Sequence, residues 1–115
     1  MNPPFSDAPG RPSRDGRRLP YIDYPDGNLW YWDIATGASR QVTHKPAASQ
    51  EGGGWSAMSP DGSRIAYSWW TGDSYDLRVI AADGTRMRSI LAPGTADGAE
   101  PLEWSADGSQ ILCRL

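Results

Sequence analysis

The sequence predicts an all-β chain built from antiparallel four-stranded meanders, and two recurrences carry that prediction. The dipeptide Asp-Gly stands at Asp15-Gly16, Asp61-Gly62 and Asp107-Gly108, an interval of 46 residues taken twice. Between these copies lies a second pattern, an apolar run, a tight-turn pair and a further run: Leu29 to Ile34 leads into Thr36-Gly37, and Leu77 to Ala82 leads into Asp83-Gly84. One period therefore holds four short strands, and self-similarity at about 40 to 50 residues marks an array of stacked units.

The elements follow in chain order. Pro3, Pro4, Pro9 and Pro12 remove backbone donors from a stretch without apolar alternation, so residues 1–12 are expected to be a disordered, proline-rich arm. The array is expected over residues 13–115. Its first unit opens at Ser13-Arg14-Asp15-Gly16 and reads as three strands, the innermost one missing because the arm cannot supply it. Pro20 fits that reading, since an edge strand does not need every outward N–H. A complete unit follows, with strands at Trp55 to Ser59, Arg64 to Trp70, Asp76 to Ala81 and Arg86 to Leu91. Two strands of a third unit flank Asp107-Gly108.

Each Asp-Gly pair is expected at a hairpin tip. Glycine accepts positive φ without a Cβ clash, and the aspartate side chain bonds the nearby backbone. The strands after the tips do not alternate polar with apolar: Ile65-Ala66-Tyr67-Ser68-Trp69-Trp70 and Leu29-Trp30-Tyr31-Trp32 are apolar or aromatic on both faces. A sheet covered on both sides has this composition. Such units, stacked face to face, are the blades of a β-propeller. Ile65, Tyr67, Trp69, Leu77, Val79, Ile80 and Trp104 are the expected core.

The stretch Ser59-Pro60-Asp61-Gly62-Ser63-Arg64-Ile65-Ala66-Tyr67 resembles the signature of the TolB-like propeller repeat, a relative of the WD-repeat propellers. Ser105 to Cys113 matches it with Ala106 in place of proline, and the first copy departs from it at Arg14 and Pro20. The resemblance implies an incomplete ring, since propellers close with roughly four to eight blades and this length holds about two and a half. A slice of a longer propeller is expected, because the chain stops at Leu115 within a strand. Open blade edges would then favour self-association.

Composition bounds the function. Net charge is −3 at neutral pH, with Lys and Arg numbering 11 against 14 acidic residues, so neither a nucleic-acid nor an anionic-membrane partner is implied. No stretch is apolar enough for a membrane span or an export signal. The chain as written reads as cytoplasmic by default, and as periplasmic if it is a slice of an exported family member. Cys113, the single cysteine, has no internal partner and is expected to be a small buried hydrophobe.

Catalytic patterns are lacking. Ser56 in Gly54-Trp55-Ser56-Ala57-Met58 has methionine where a nucleophile elbow needs glycine, and His44 is the sole histidine. Asp23, Asp26 and Asn28 lack the alternating oxygen spacing of a calcium loop and are expected to serve a turn. No catalytic, cofactor or metal site is assigned.

Propellers resembling this one bind peptides or proteins on the face that joins the outermost strand of one blade to the next blade, together with the second-to-third-strand loops. Here that face comprises Tyr24 to Asn28, His44 to Gly54, Thr71 to Ser74 and Ala92 to Pro101, with Gly52-Gly53-Gly54 lending the second of these loops freedom. The candidate interaction residues are His44, Glu51, Trp70, Asp73, Tyr75, Asp97 and Glu100. Their acidity suits a basic or amphipathic protein or peptide. The function expected is therefore a non-catalytic binding module. The alternatives are the propeller portion of a prolyl-oligopeptidase-like serine peptidase and a glycan-binding β domain, the latter requiring exposed strand tryptophans.

Overall fold

A computed structural model describes residues 8–23, 26–46, 48–90 and 100–114. The first sheet holds β1 (Ala8–Pro9), β2 (Arg18–Asp23), β3 (Asn28–Asp33) and β4 (Ala38–Gln41) in that spatial order. The second holds β5 (Gly52–Met58), β6 (Arg64–Trp70), β7 (Tyr75–Ala81) and β8 (Arg88–Ser89), again in sequence order. A third pairs β9 (Glu100–Trp104) with β10 (Ile111–Arg114). Pairings between these strands are antiparallel and sequential, so the described residues form two four-stranded blades and the first two strands of another.

The corners between the first and second strand of each blade are built alike. Ser59 Oγ donates to Asp61 Oδ1 at 2.8 Å, and the same carboxylate oxygen accepts the Ser63 N–H at 3.0 Å. The Ser59 hydroxyl in turn accepts the Arg64 N–H at 3.0 Å. Ser13, Asp15, Arg17 and Arg18 repeat these bonds, as do Ser105, Asp107, Ser109 and Gln110. Gly16, Gly62 and Gly108 sit at φ of 72°, 75° and 76°, where any other residue would be strained. The 46-residue recurrence is thus a recurrence of one hydrogen-bonded loop.

Blade stacking makes the core. Ile22, Leu29, Tyr31 and Val42 of the first blade meet Met58, Ile65, Tyr67, Trp69, Ile80 and Ala82 of the second in one buried cluster. The opposite face of the second blade carries Ala57, Ala66 and Val79 against Trp104. Small residues on that face leave space for the indole, whose N–H donates to the Ala57 carbonyl at 2.9 Å. All seven residues expected in the core are buried. Alternation along β6 therefore serves two neighbours: Ile65, Tyr67 and Trp69 face back, Ala66 faces forward.

A polar latch repeats with the blades. Arg18 Nη1 donates to the Gly62 carbonyl at 2.8 Å, and Arg64 Nη2 donates to the Gly108 carbonyl at 2.7 Å. The first residue of each second strand thereby clasps the corner of the next blade. The Arg64 guanidinium also lies 4.8 Å from the centroid of Trp104.

Several sequence expectations are corrected. Ala8 and Pro9 pair with Ile22 and Tyr21, so a first strand is present before Ser13 and β2 is not an edge. The pairing is short enough for a proline-rich stretch to supply: Gly10 N–H donates to the Pro20 carbonyl at 2.7 Å, and the chain then leaves the blade. Arg11 crosses to β5, donating to Ser56 O at 3.0 Å and accepting the Met58 N–H at 2.9 Å. Pro20 turns its donorless nitrogen toward this departure point, because N and O of one strand residue share an edge. Residues 1–7, the rest of the expected arm, lie outside the described residues.

Gly52, Gly53 and Gly54 belong to β5 rather than to a free loop. A Cβ at Gly53 would collide with Ile22 Cδ1, so glycine there permits close stacking of the blades. β8 is shorter than expected because Arg86 takes φ of 59°, which delays the strand; Leu91 lies outside the described residues. Cys113 is half-buried, on a strand with β9 alone beside it among the described residues.

Candidate functional site

The innermost strands of successive blades, β1, β5 and β9, enclose a cleft of about 430 Å³ at the end where the blade-to-blade loops and the second-to-third-strand turns lie. Pro9, Gly10 and Arg11 form one wall, Gly53 to Ser56 another, and Glu100 with Pro101 the third, while Tyr75 closes the rim. A second cleft of about 300 Å³ lies beyond Arg11 and is lined by Arg14, Met58, Leu102, Glu103 and Trp104.

Two aromatic side chains, Trp55 and Tyr75, line the first cleft, and Trp70 packs on Tyr75. Trp70 ends β6 and Tyr75 begins β7, which puts their ring centroids 5.1 Å apart at 59°. The turn between them is closed by the Thr71 N–H on the Ser74 carbonyl at 2.9 Å. Trp55 lies 5.6 Å from Tyr75 at 49° and is 45% exposed, the highest exposure among the described tryptophans. A register shift between Gly53 and Ser56 turns it outward from an otherwise packed strand.

The other candidates are placed as follows. Glu51 is half-buried and accepts the Trp69 indole N–H at 2.9 Å, so its carboxylate holds the core as well as facing the loops. Glu100 begins β9, lines the cleft and pairs with Arg114 at 3.7 Å. Asp73 is exposed at the tip of the turn between β6 and β7. His44 is exposed on the loop leaving the first blade, outside the cleft lining. That loop is anchored by the buried Asn28, whose Oδ1 accepts the Lys45 N–H and the Thr43 hydroxyl, each at 2.9 Å. Asp97 lies outside the described residues. Tyr75 and Glu100 thus line the cleft and Trp70 packs on Tyr75, while His44, Glu51 and Asp73 are outside the lining.

Trp55 and Arg11 were not singled out from the sequence. Three glycines before a tryptophan in a strand were the available signal for Trp55, since interior glycines often mark a bulge. No local signal marked Arg11, whose place depends on the crossing to β5.

Acidic oxygens elsewhere are engaged by the fold. Asp26 accepts the Asn28 N–H at 2.8 Å and the Trp30 indole N–H at 3.2 Å, so it serves its turn. Hydrogen bonds from Ser63 and then Ser59 hold Asp61 down to about 2, and those from Ser105 and Ser109 do the same for Asp107. Among the described residues no three His, Cys, Asp or Glu side chains gather as a metal site requires. Ser56 is buried on β5, its hydroxyl covered by Gly10 and without a hydrogen-bond partner among the described residues.

Comparison with known proteins places this architecture. No family model matches the chain. The Tol-Pal system protein TolB of Anaeromyxobacter dehalogenans (strain 2CP-C) is 33% identical over 85 residues, covering 72% of this chain and 18% of that protein. A solved chain assigned as TolB from Agrobacterium tumefaciens superposes with a TM-score of 0.72 at 19% identity, over 95% of this chain and 38% of that one. TolB from Acinetobacter baumannii gives 0.68 at 14% identity, over 91% and 25%. This chain thus spans less than a fifth of the length of its curated relative. Sequential four-stranded blades, the repeated Ser-x-Asp-Gly corner and these likenesses together identify the chain as a TolB-like β-propeller segment.

Proposed function

We propose that this segment is a non-catalytic protein- or peptide-binding module that engages its partner at the cleft between β1, β5 and β9. The observation that carries the reading is the exposed Trp55, tilted against Tyr75 at the cleft rim, with Trp70 on the Tyr75 ring in turn. Large aromatics grouped at a concave site are typical binding anchors, because they bury much area at little entropic cost. Glu100 in the lining and Asp73 on the adjacent turn favour a basic or amphipathic partner segment. The name of the curated relative places that protein in the Tol-Pal system, which supports a protein partner.

The glycan reading finds its exposed strand tryptophan in Trp55. Tyr75 is tilted by 49° to Trp55 and Trp70 by 59° to Tyr75, so the three rings make no flat platform, which favours a peptide. In the peptidase reading the propeller is likewise a non-catalytic portion, and the hydrolase chemistry belongs to a separate domain.

Selection from a displayed random-peptide library tests the proposal, with Trp55→Ala as the counter-screen. Enriched peptides are expected to carry Lys or Arg beside apolar residues and to lose binding to the variant. Equal enrichment on wild type and variant would overturn the assignment of the site.

A further inference from the structure

Arginines elsewhere in the structure are engaged by the fold. Arg17 pairs with Asp33 at 3.3 Å, Arg78 with Asp76 at 2.9 Å and Arg114 with Glu100 at 3.7 Å. Arg18 and Arg64 clasp the corner carbonyls of the following blades. Arg11 and Arg14 differ, because among the described residues no acceptor meets either guanidinium and both line the second cleft, of about 300 Å³.

Main-chain bonds fix where these two cations stand. Arg11 is tied to Ser56 and Met58, and the Arg14 N–H donates to the Pro60 carbonyl at 3.1 Å, so the stretch that carries both is laid along β5 and its corner. Met58, Leu102 and Trp104 supply apolar surface to the same cleft. The Trp104 ring is held there from two sides, by its indole bond to the Ala57 carbonyl and by the Arg64 guanidinium. Glu103 is the acidic residue of the lining; it is exposed, and it forms no ion pair with either arginine among the described residues. The walls are innermost strands of successive blades and the stretch that follows β1, so they face the propeller axis, a side that stacking of blades leaves open.

We propose that the second cleft is a docking site for an extended acidic segment of a protein partner, whose Asp or Glu carboxylates bond Arg11 and Arg14 while a neighbouring Leu, Ile or Phe side chain packs on Met58, Leu102 and Trp104. Two unpartnered guanidiniums beside apolar surface select an anion that brings apolar area with it, since an arginine–carboxylate pair strengthens as water is excluded from it. A peptide fits better than a nucleic acid: the net charge of −3 repels a polyanion, and the apolar lining matches an aliphatic side chain rather than a sugar–phosphate chain. The polarity is opposite to that of the first cleft, so this site does not rest on the reading given for the other.

Selection on the whole chain from a displayed library drawn only from Asp, Glu, Leu, Ile, Phe and Gly tests the proposal, followed by titration of the enriched peptides. Binding is expected to weaken about tenfold in Arg14→Gln and again in Arg11→Gln, as when a hydrogen bond to a charged donor is lost, and to be unchanged in Trp55→Ala. Glu103→Gln, at an exposed position, is expected to tighten it. Circular dichroism checks that each variant folds. In nuclear magnetic resonance spectra the Trp104 indole N–H signal is expected to move on peptide addition while that of Trp55 stays in place. Three outcomes would overturn the proposal: no enrichment from the acidic library, peptides that bind Arg14→Gln and Arg11→Gln as tightly as the wild type, or an oligodeoxythymidine that displaces the peptides and depends on the same two arginines. Peptides that move Trp55 and not Trp104 would overturn it as well, and would assign them to the first cleft instead.

Discussion

Gly53 of β5 stands against Ile22 of β2 with no space for a side chain between them: an added Cβ would collide with Ile22 Cδ1. The Gly53 N–H donates to the Gly27 carbonyl at 2.9 Å, so the backbones of the first two blades touch at this point. The glycine is there for packing, and its neighbour is a fully buried branched side chain that has little room to yield.

Gly53→Ala is accordingly expected to lose about 1 to 3 kcal/mol, the usual cost of overpacking. Ile22→Val in the same chain should recover part of that loss, because the offending atom is Cδ1. Urea unfolding of the two single variants and the double variant measures the coupling. Strict additivity would show that the clash is relieved elsewhere.

Tyr67 is buried between the first two blades, with its ring 6.0 Å from Trp69 in an edge-on arrangement. Tyr67→Ala should cost about 3 to 5 kcal/mol in equilibrium unfolding, as expected for a large ring removed from a packed core. A loss of less than about 1 kcal/mol, typical of surface positions, would place the ring outside the core.

Arg64→Ala removes both the bond to the Gly108 carbonyl and the cation over Trp104. A loss of about 1 to 3 kcal/mol is expected from a charged hydrogen bond with its cation–π contact. The Trp104 indole N–H resonance should shift with it, since the third blade is held by this residue. Arg64→Lys should restore little, because an ammonium group cannot stack and reach the carbonyl together. An unmoved Trp104 signal in Arg64→Ala would remove the latch from the account.

The corner aspartates predict the response to acid. Asp61 and Asp107 are lowered from 3.8 to about 2 by the serine hydroxyls and N–H groups that bond the carboxylates. A lowered folded value means that their contribution is present above pH 3.8 and is lost as pH falls through about 2. Solvent exposure keeps each contribution small. Urea midpoints measured across this window should fall less steeply in Asp61→Asn than in the wild type. Parallel slopes would show that the corner carboxylates do not govern acid stability.

The repeat, the strand class and the core were determined by the sequence alone, because their interactions are local or periodic. Each corner loop closes within six consecutive residues, Ser59 to Arg64 for example, so contiguous side chains encode it completely. The two-sided apolar pattern of β6 likewise announces a blade covered on both faces, whatever covers it. The tertiary structure alone decided the place of Ala8–Pro9, the crossing of Arg11 to β5, the packing role of Gly53 and the outward turn of Trp55. A two-residue strand has almost no preference of its own, and its pairing is stabilised by residues more than ten positions away in β2 and more than forty away in β5. The cleft exists only where three innermost strands from successive periods meet, so no single repeat of the sequence contains it.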